Sequence, residues 1–502
     1  MPLSFRIKEA IPMMKDPSPL QRARAYEQEQ GSHIPADDRP LIHLTPLVGW
    51  MNDPNGFCFY KGEYHLFYQY YPYGTVWGPM HWGHAVSADL LHWTYVPCAL
   101  APDTAADAGG CFSGSAVEMP DGQLMLVYTG VQPGENGQRD RQAQCVAFGD
   151  GVDFEKAAEN PVIRQDDLPD PKYSPFDFRD PKVWRGEDGM LYLVAGNRHA
   201  DRQGSILLYR SVDGLQWAFV AELDSSDNAL GRMWECPDFF RLDGYDVLIA
   251  SPQEVQAQGE FHPGNATMAI LGHCDRQTKR LIRSAVQPID HGLDFYAPQT
   301  TLAPDGRRLM IGWLENWETC SGAERGHRWF GRMSLPRELS VREGRLMQRP
   351  VREIEQIWRN TVTVDDVLLN GTASFDGVSG RMIDMTVRLR PAEKACRFTL
   401  RIAVDDRHHT DIRCDLAHGE LTFDRSHDGN RRDIPHIRCI PAAMKDGQLT
   451  LRLIMDKDSV ELFVNGGERT VSALIDTPLA AKGITFASDA PVRLGVDLHR
   501  LG

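Results

Sequence analysis

The chain has 502 residues, 42% of them apolar and 25% charged, with a formal net charge of −15 at pH 7. That length accommodates two or more domains, and the apolar share is ordinary for a globular protein. The acidic balance leaves no basic surface for nucleic acid or an anionic membrane, and it makes a highly anionic polymer a poor substrate.

Residues 1–41 read as a polar, helical extension. Ser18-Pro19 opens a run to Gln30 that Gly31 closes, so a capped helix with proline at its first position is expected. From 42 to 345 the pattern changes to short strands punctuated by Gly, Pro and Asp. Five segments there look alike, each a turn glycine leading into an apolar run: Gly62, Gly122, Gly189, Gly244 and Gly306, spaced 60, 67, 55 and 62 residues apart. A second element recurs as Ser87-Ala88-Asp89 before Trp93 and Ser211-Val212-Asp213 before Trp217. Repeats of this length suggest four-stranded propeller blades, and five repeats imply five blades. A large sandwich with chance spacing is the competing architecture. Residues 346–360 are expected to form a linker helix around Arg349 to Trp358. Residues 361–502, where Ser459 to Gly467 alternates and then turns as a hairpin does, are assigned to a C-terminal β-sandwich. The fold class expected is therefore all-β: a five-bladed β-propeller followed by a C-terminal β-sandwich.

Ten cysteines are scattered along the chain with no CxxC pair, so no structural zinc site is signalled. Free thiols in a reducing compartment are the simpler account. The N-terminus lacks a charged segment followed by a long apolar one, and no stretch reaches membrane-spanning length. A soluble, cytoplasmic protein is expected, with no nucleic-acid or membrane partner; its oligomeric state stays open.

A polar residue precedes each glycine-led strand: Asp53, Ser113, Asp180, Glu235 and Asp294, at separations of 60, 67, 55 and 59 that follow the glycine period. The first strand of each propeller blade lines the central channel, so these side chains should converge at one end of it. Four carboxylates facing one cavity repel one another and lose solvent, so at least one should hold its proton near neutral pH. A carboxylic acid beside a carboxylate is the equipment of glycoside hydrolysis. Trp50, Trp77, Trp82, Tyr296 and Trp313 can stack on sugar faces, or they can be blade core. Clustered carboxylates also suit a metal, but no DxDxDG-type calcium loop is present, so neither metal nor cofactor is expected.

Trp50-Met51-Asn52-Asp53-Pro54-Asn55-Gly56, Arg179-Asp180-Pro181 and Glu235-Cys236-Pro237 closely resemble the three signature motifs of glycoside hydrolase family 32, the invertases and other β-fructosidases. The resemblance continues through Phe67 to Tyr70, Trp77, His81 to His84, Phe112 to Ser115, Asp294 to Ala297 and Gly312-Trp313. It implies Asp53 as nucleophile, Glu235 as general acid and then base, and Asp180 as the residue that binds fructose hydroxyls and stabilises the transition state. Arg179 is expected to orient these groups and keep Asp180 ionised. Asn52, Gln69, Trp77, Phe112, Ser113 and Asp294 are implied to line the fructose subsite, with Tyr296 and Trp313 beside it. Tyr71 departs from the family pattern, which often has Asn there. The loops at 75–80 and 135–141 are expected to shape the leaving-group subsite, where Arg139 and Arg141 are candidates for holding a phosphate.

The activity implied is release of terminal β-D-fructofuranosyl units from sucrose or sucrose 6-phosphate, a small sugar substrate, with net retention. An exo-acting fructan or fructo-oligosaccharide hydrolase and a fructosyltransferase use the same intermediate. A non-catalytic sugar-binding propeller would be missing one of the carboxylates, and none is missing.

Overall fold

The computed structural model describes residues 16–227, 229–320, 326–393 and 396–502; residues 1–15 of the expected N-terminal extension lie outside the described residues. Four sheets of four strands and one of five make a five-bladed β-propeller, and a ten-stranded sheet folds into the C-terminal β-sandwich. The five innermost strands are Gly49–Tyr60, Gly110–Glu118, Tyr173–Arg185, Met233–Leu242 and Tyr296–Leu302. Each pairs antiparallel with the next strand of its own blade, which starts after the repeated glycine turn. The two Ser-x-Asp copies are the same outer turn. Ser87 and Ser211 each accept from backbone N–H groups two and three residues on, as do Asp89 and Asp213.

The ring closes on itself late in the chain. Trp329–Phe330 adds in parallel to the first blade, pairing Gly49 with Trp329 and Trp50 with Phe330. The axis is filled rather than open. Gln299 Nε2 donates to the Gly114 carbonyl at 2.9 Å while its Oε1 accepts from Phe57 N, and Lys182 reaches Asp238 at 3.1 Å.

Every innermost strand carries a register shift: between Met51 and Pro54, Phe112 and Gly114, Arg179 and Lys182, Glu235 and Asp238, and Tyr296 and Gln299. Proline follows the shifted residue in four blades, as Asp53-Pro54, Asp180-Pro181, Cys236-Pro237 and Ala297-Pro298. A residue without an N–H cannot continue a ladder, so it settles where the ladder breaks. Asp180, Cys236 and Ala297 accordingly adopt φ of 64°, 47° and 50°.

The connection to the sandwich differs from the expected linker helix. Strand pairing of the fifth blade continues through Arg345–Pro350, a six-residue 3-10 helix spans Arg352–Ile357, and Trp358 already begins a strand. The cause is that Arg345 to Pro350 finds a ladder partner in Arg337–Arg342, which outweighs its local helical pattern. In the sandwich, Gly483–Leu501 joins the two layers. Its first part pairs with Arg397–Val404 and its later part with Ile383–Pro391.

A buried ionic seam fastens the two domains. Arg337, fully buried, donates to Glu461 at 2.6 Å, Asp290 at 2.9 Å and Ser472 at 2.7 Å. His43 bridges Asp456 at 2.9 Å and Glu461 at 3.0 Å. Burial alone would lower the His43 pKa, but these two carboxylates raise it to about 9, so it is an imidazolium at neutral pH.

The expected helix is present as α1, Pro19–Gly31, with Ser18 and Gln21 forming a reciprocal capping box. Its buried stripe is only Ala23, Glu27 and Gly31. Glu27 accepts from Cys98 N at 2.7 Å, and burial pushes its carboxyl up to about 8. Among the described residues no helix is long and apolar enough to cross a membrane.

Candidate active site

The register shifts turn side chains out of the blade ladders and towards the axis at one end of the ring. There they surround an open cavity of about 680 Å³, lined among others by Asn52, Asp53, Gln69, Trp77, Phe112, Ser113, Arg179, Asp180 and Glu235. The carboxyl groups of three blades thus meet although 182 positions separate the first from the last.

Asp53 is held by donors on both oxygens. Ser113 donates to Oδ2 at 2.6 Å, Asn52 donates to Oδ1 at 3.1 Å, and the Cys236 thiol lies 3.4 Å from Oδ2. Trp50, beneath, donates from Nε1 to Asn52 Oδ1 at 2.8 Å and so fixes which way that amide points. Burial raises the Asp53 pKa; the Ser113 bond works against this and the Glu235 charge adds to it.

Glu235 sits in a ring of donors. Its Oε1 accepts from Arg179 Nε at 3.0 Å and Nη2 at 2.9 Å. Its Oε2 lies 2.8 Å from Gln253 Nε2 and 2.8 Å from the Tyr296 hydroxyl, which in turn is 3.1 Å from the Ser251 carbonyl. Asp180 has less support. Cys236 N donates to Oδ2 at 2.9 Å, and the thiol of the same residue is 3.6 Å away. Burial pushes Asp180 up to about 7, more than the Arg179 charge offsets, with Glu235 and Asp53 adding to the rise. Asp180 is thus the carboxyl of this group that holds a proton near neutral pH.

Four expectations need correction. Arg179 clamps Glu235 and stands 3.9 Å from Asp180, where its charge favours the ionised carboxylate without overcoming burial. Asp294 does not line the cavity. It is buried at the domain seam, where Arg425 donates to Oδ2 at 2.5 Å and Leu474 N at 2.8 Å. The residue of the fifth blade at the register shift is Ala297, three positions on, and the proline that follows it is the signal that would have placed the register. Trp313 is fully buried core, packed on Trp50 and Trp317. Tyr296 is buried too and meets the site only through its hydroxyl on Glu235. Trp50 and Trp82 are likewise core, leaving Trp77 as the half-exposed ring at the mouth.

Gln138 and Asp140 line the cavity from the expected loop at 135–141, but Gln142, Phe176, Asp177, Gln253, Asn265 and Trp317 were not anticipated. Asp177 precedes Arg179 by two and could have been read from its alternation. Trp317 and Asn265 come from loops with no repeat signal. Arg139 lines the cavity, rests over Phe176 and pairs with Asp177 at 3.2 Å. Arg141 instead bonds Asp166 and is not among the lining residues.

Comparison with known proteins adds three kinds of finding. The glycosyl hydrolases family 32 N-terminal domain matches residues 43–350, and the glycosyl hydrolases family 32 C-terminal domain matches residues 351–497. Raffinose invertase of Escherichia coli is 38% identical over 448 residues, covering 87% of this chain and 89% of that protein. Sucrose-6-phosphate hydrolase of Zymomonas mobilis is 36% identical over 472 residues, covering 90% of this chain and 88% of that one. The Bombyx mori family 32 β-fructofuranosidase, as a point mutant in complex with sucrose, superposes with a TM-score of 0.80 at 33% identity, over 96% of this chain and 97% of that one.

Proposed function

The chain belongs to glycoside hydrolase family 32, and from that membership we infer that Asp53, Asp180 and Glu235 are the working groups of its catalytic site. The enzyme is a β-fructofuranosidase. The observation that carries the site assignment is the meeting of these three carboxyls around one cavity, with Glu235 ringed by Arg179, Gln253 and Tyr296.

In this reading Asp53 attacks the anomeric carbon of the fructosyl unit, and its three donors hold the carboxylate ready for that attack. Glu235 protonates the leaving oxygen and then takes a proton from water, giving net retention. Tyr296 has one hydroxyl proton and two acceptors within reach. The hydroxyl donates to Glu235 Oε2, as Gln253 does, and so fixes the orientation of that carboxyl. Asp180 gains most when positive charge develops on the ring, because a buried carboxylate interacts more strongly with that charge than with the neutral ground state.

The substrate proposed is a neutral fructoside such as sucrose rather than a phosphorylated one. Five carboxyl groups line the cavity against two cations, and both cations are already paired, Arg139 with Asp177 and Arg179 with Glu235. A phosphate entering there would face net negative charge unless Arg139 left Asp177. We place the protein in the cytoplasm, which suits ten free thiols. The test is kcat/KM on sucrose, sucrose 6-phosphate, raffinose and kestose. Sucrose or raffinose should lead. A preference of more than tenfold for sucrose 6-phosphate overturns the neutral-substrate reading, and no turnover of any fructoside overturns the site assignment.

A further inference from the structure

We propose that Tyr26, on α1, is a positioning residue for the Trp77 wall of the cavity. Trp77 stands in the segment 72–80 that joins two strands of the first blade, Glu63–Tyr71 and His81–Ser87. None of its residues belongs to a strand ladder. What orders it is a chain of rings. Tyr26 meets Tyr73 edge to face at 5.1 Å, and Tyr73 meets Tyr71 at 5.6 Å and His81 at 5.8 Å, both also edge to face. Tyr71 is pressed against Gly78, where an added Cβ would come within 2.8 Å of the ring. Gly78 is the neighbour of Trp77, whose ring meets Phe112 at 5.9 Å on the cavity wall.

The far end of the segment is tied separately. The His81 ring accepts no proton at neutral pH: burial lowers its pKa to about 4, offset in part by the Pro79 carbonyl, to which its Nδ1–H donates at 2.9 Å. Met80 O accepts from Cys111 N at 2.9 Å. The side of the segment leading to Trp77 thus depends on Tyr71 and Tyr73, and Tyr73 is backed by the helix. Edge-to-face pairs are worth enough to select one loop position over its neighbours. The helix itself is fixed to the first two blades by Arg24, on the Cys98 carbonyl at 2.8 Å and Asp153 at 2.8 Å, so it is a firm backing.

The donors that hold Asp53, Asp180 and Glu235 all lie outside segment 71–81. Loosening it should weaken substrate binding and leave the chemistry intact. The inference rests on the fructoside reading of the cavity. In the full-length enzyme, Tyr26→Ala should raise KM for sucrose about three- to tenfold with kcat within twofold of wild type. Tyr26→Phe, which keeps the ring edge, should restore the wild-type KM. Tyr73→Ala should reproduce the KM effect, and the double variant should add nothing further, since both act through one contact. An unchanged KM in Tyr26→Ala, or equal losses in Tyr26→Phe, or a fall in kcat alone, overturns the proposal. If Tyr26→Ala does not fold, Tyr73→Ala decides by the same criteria. If wild-type enzyme fails to cleave sucrose, the substrate reading fails by itself, and the variants are compared on whichever fructoside the wild type cleaves.

Discussion

Replacing Ser113 with Ala removes the 2.6 Å bond that its hydroxyl donates to Asp53 Oδ2, the shortest contact to that carboxyl. Ser113 is buried and Asp53 partly so, which leaves the bond only lightly screened. A hydrogen bond to a charged group is worth about 1.5–3 kcal/mol net. The bond favours the ionised carboxylate, and burial already raises the Asp53 pKa, so its loss raises that pKa further. Nucleophilic attack needs the ionised form. On the acidic side of the profile, kcat/KM should therefore fall by about 10- to 150-fold, the factor to which that energy converts. The acidic limb moves to higher pH. At higher pH, where Asp53 is ionised in both proteins, most of the activity returns, because Asn52 and Cys236 still hold the carboxyl. The assay is kcat/KM on sucrose across pH 4–8 for both proteins. A uniform loss at every pH, or an acidic limb displaced downwards, refutes the reasoning.

Asp180→Asn should abolish most turnover yet stabilise the fold in a pH-dependent way. The Asp180 folded-state pKa, about 7, lies above its unfolded value, so wild type loses stability as pH rises through that range. The amide removes this cost, and thermal unfolding should show a gain on the order of 2–4 kcal/mol at pH 8 and little at pH 4; equal effects at both pH values contradict it. Arg337→Met leaves Asp290 and Glu461 buried without their guanidinium. Urea unfolding should show a loss of about 3–5 kcal/mol, with kcat/KM of the folded fraction unchanged at low temperature. A loss below about 0.5 kcal/mol refutes the structural weight given to that seam.

The blade period was legible because glycine turns are obligatory where a blade's first strand reverses, and Gly62, Gly122, Gly189, Gly244 and Gly306 all hold positive φ. Asp53, Asp180 and Glu235 followed from that period. Asp294 was misplaced because spacing alone tolerates an error of a few residues, whereas the proline after Ala297 does not. Arg425, which holds Asp294, lies in the other domain and left no trace near it in sequence. Gln253 and Trp317 were equally hidden, since one ends a strand and the other sits on a loop outside the repeat. The linker helix is shorter than expected and 3-10 in type, Arg352–Ile357, because a ladder partner overrode local propensity in Arg345–Pro350.

The pairing of Gly49 with Trp329 sets the order in which the molecule can mature. While the ribosome is still making the later blades, the opening strand has a bare flank with nothing to dock on it, and the sugar-cleaving crevice has only some of its walls. A fragment ending before residue 329 should accordingly be adhesive and inert rather than a smaller working enzyme. Contacts that distant in sequence also form slowly, so the nascent protein passes through a long interval in which a chaperone, or a second nascent copy, competes for that flank.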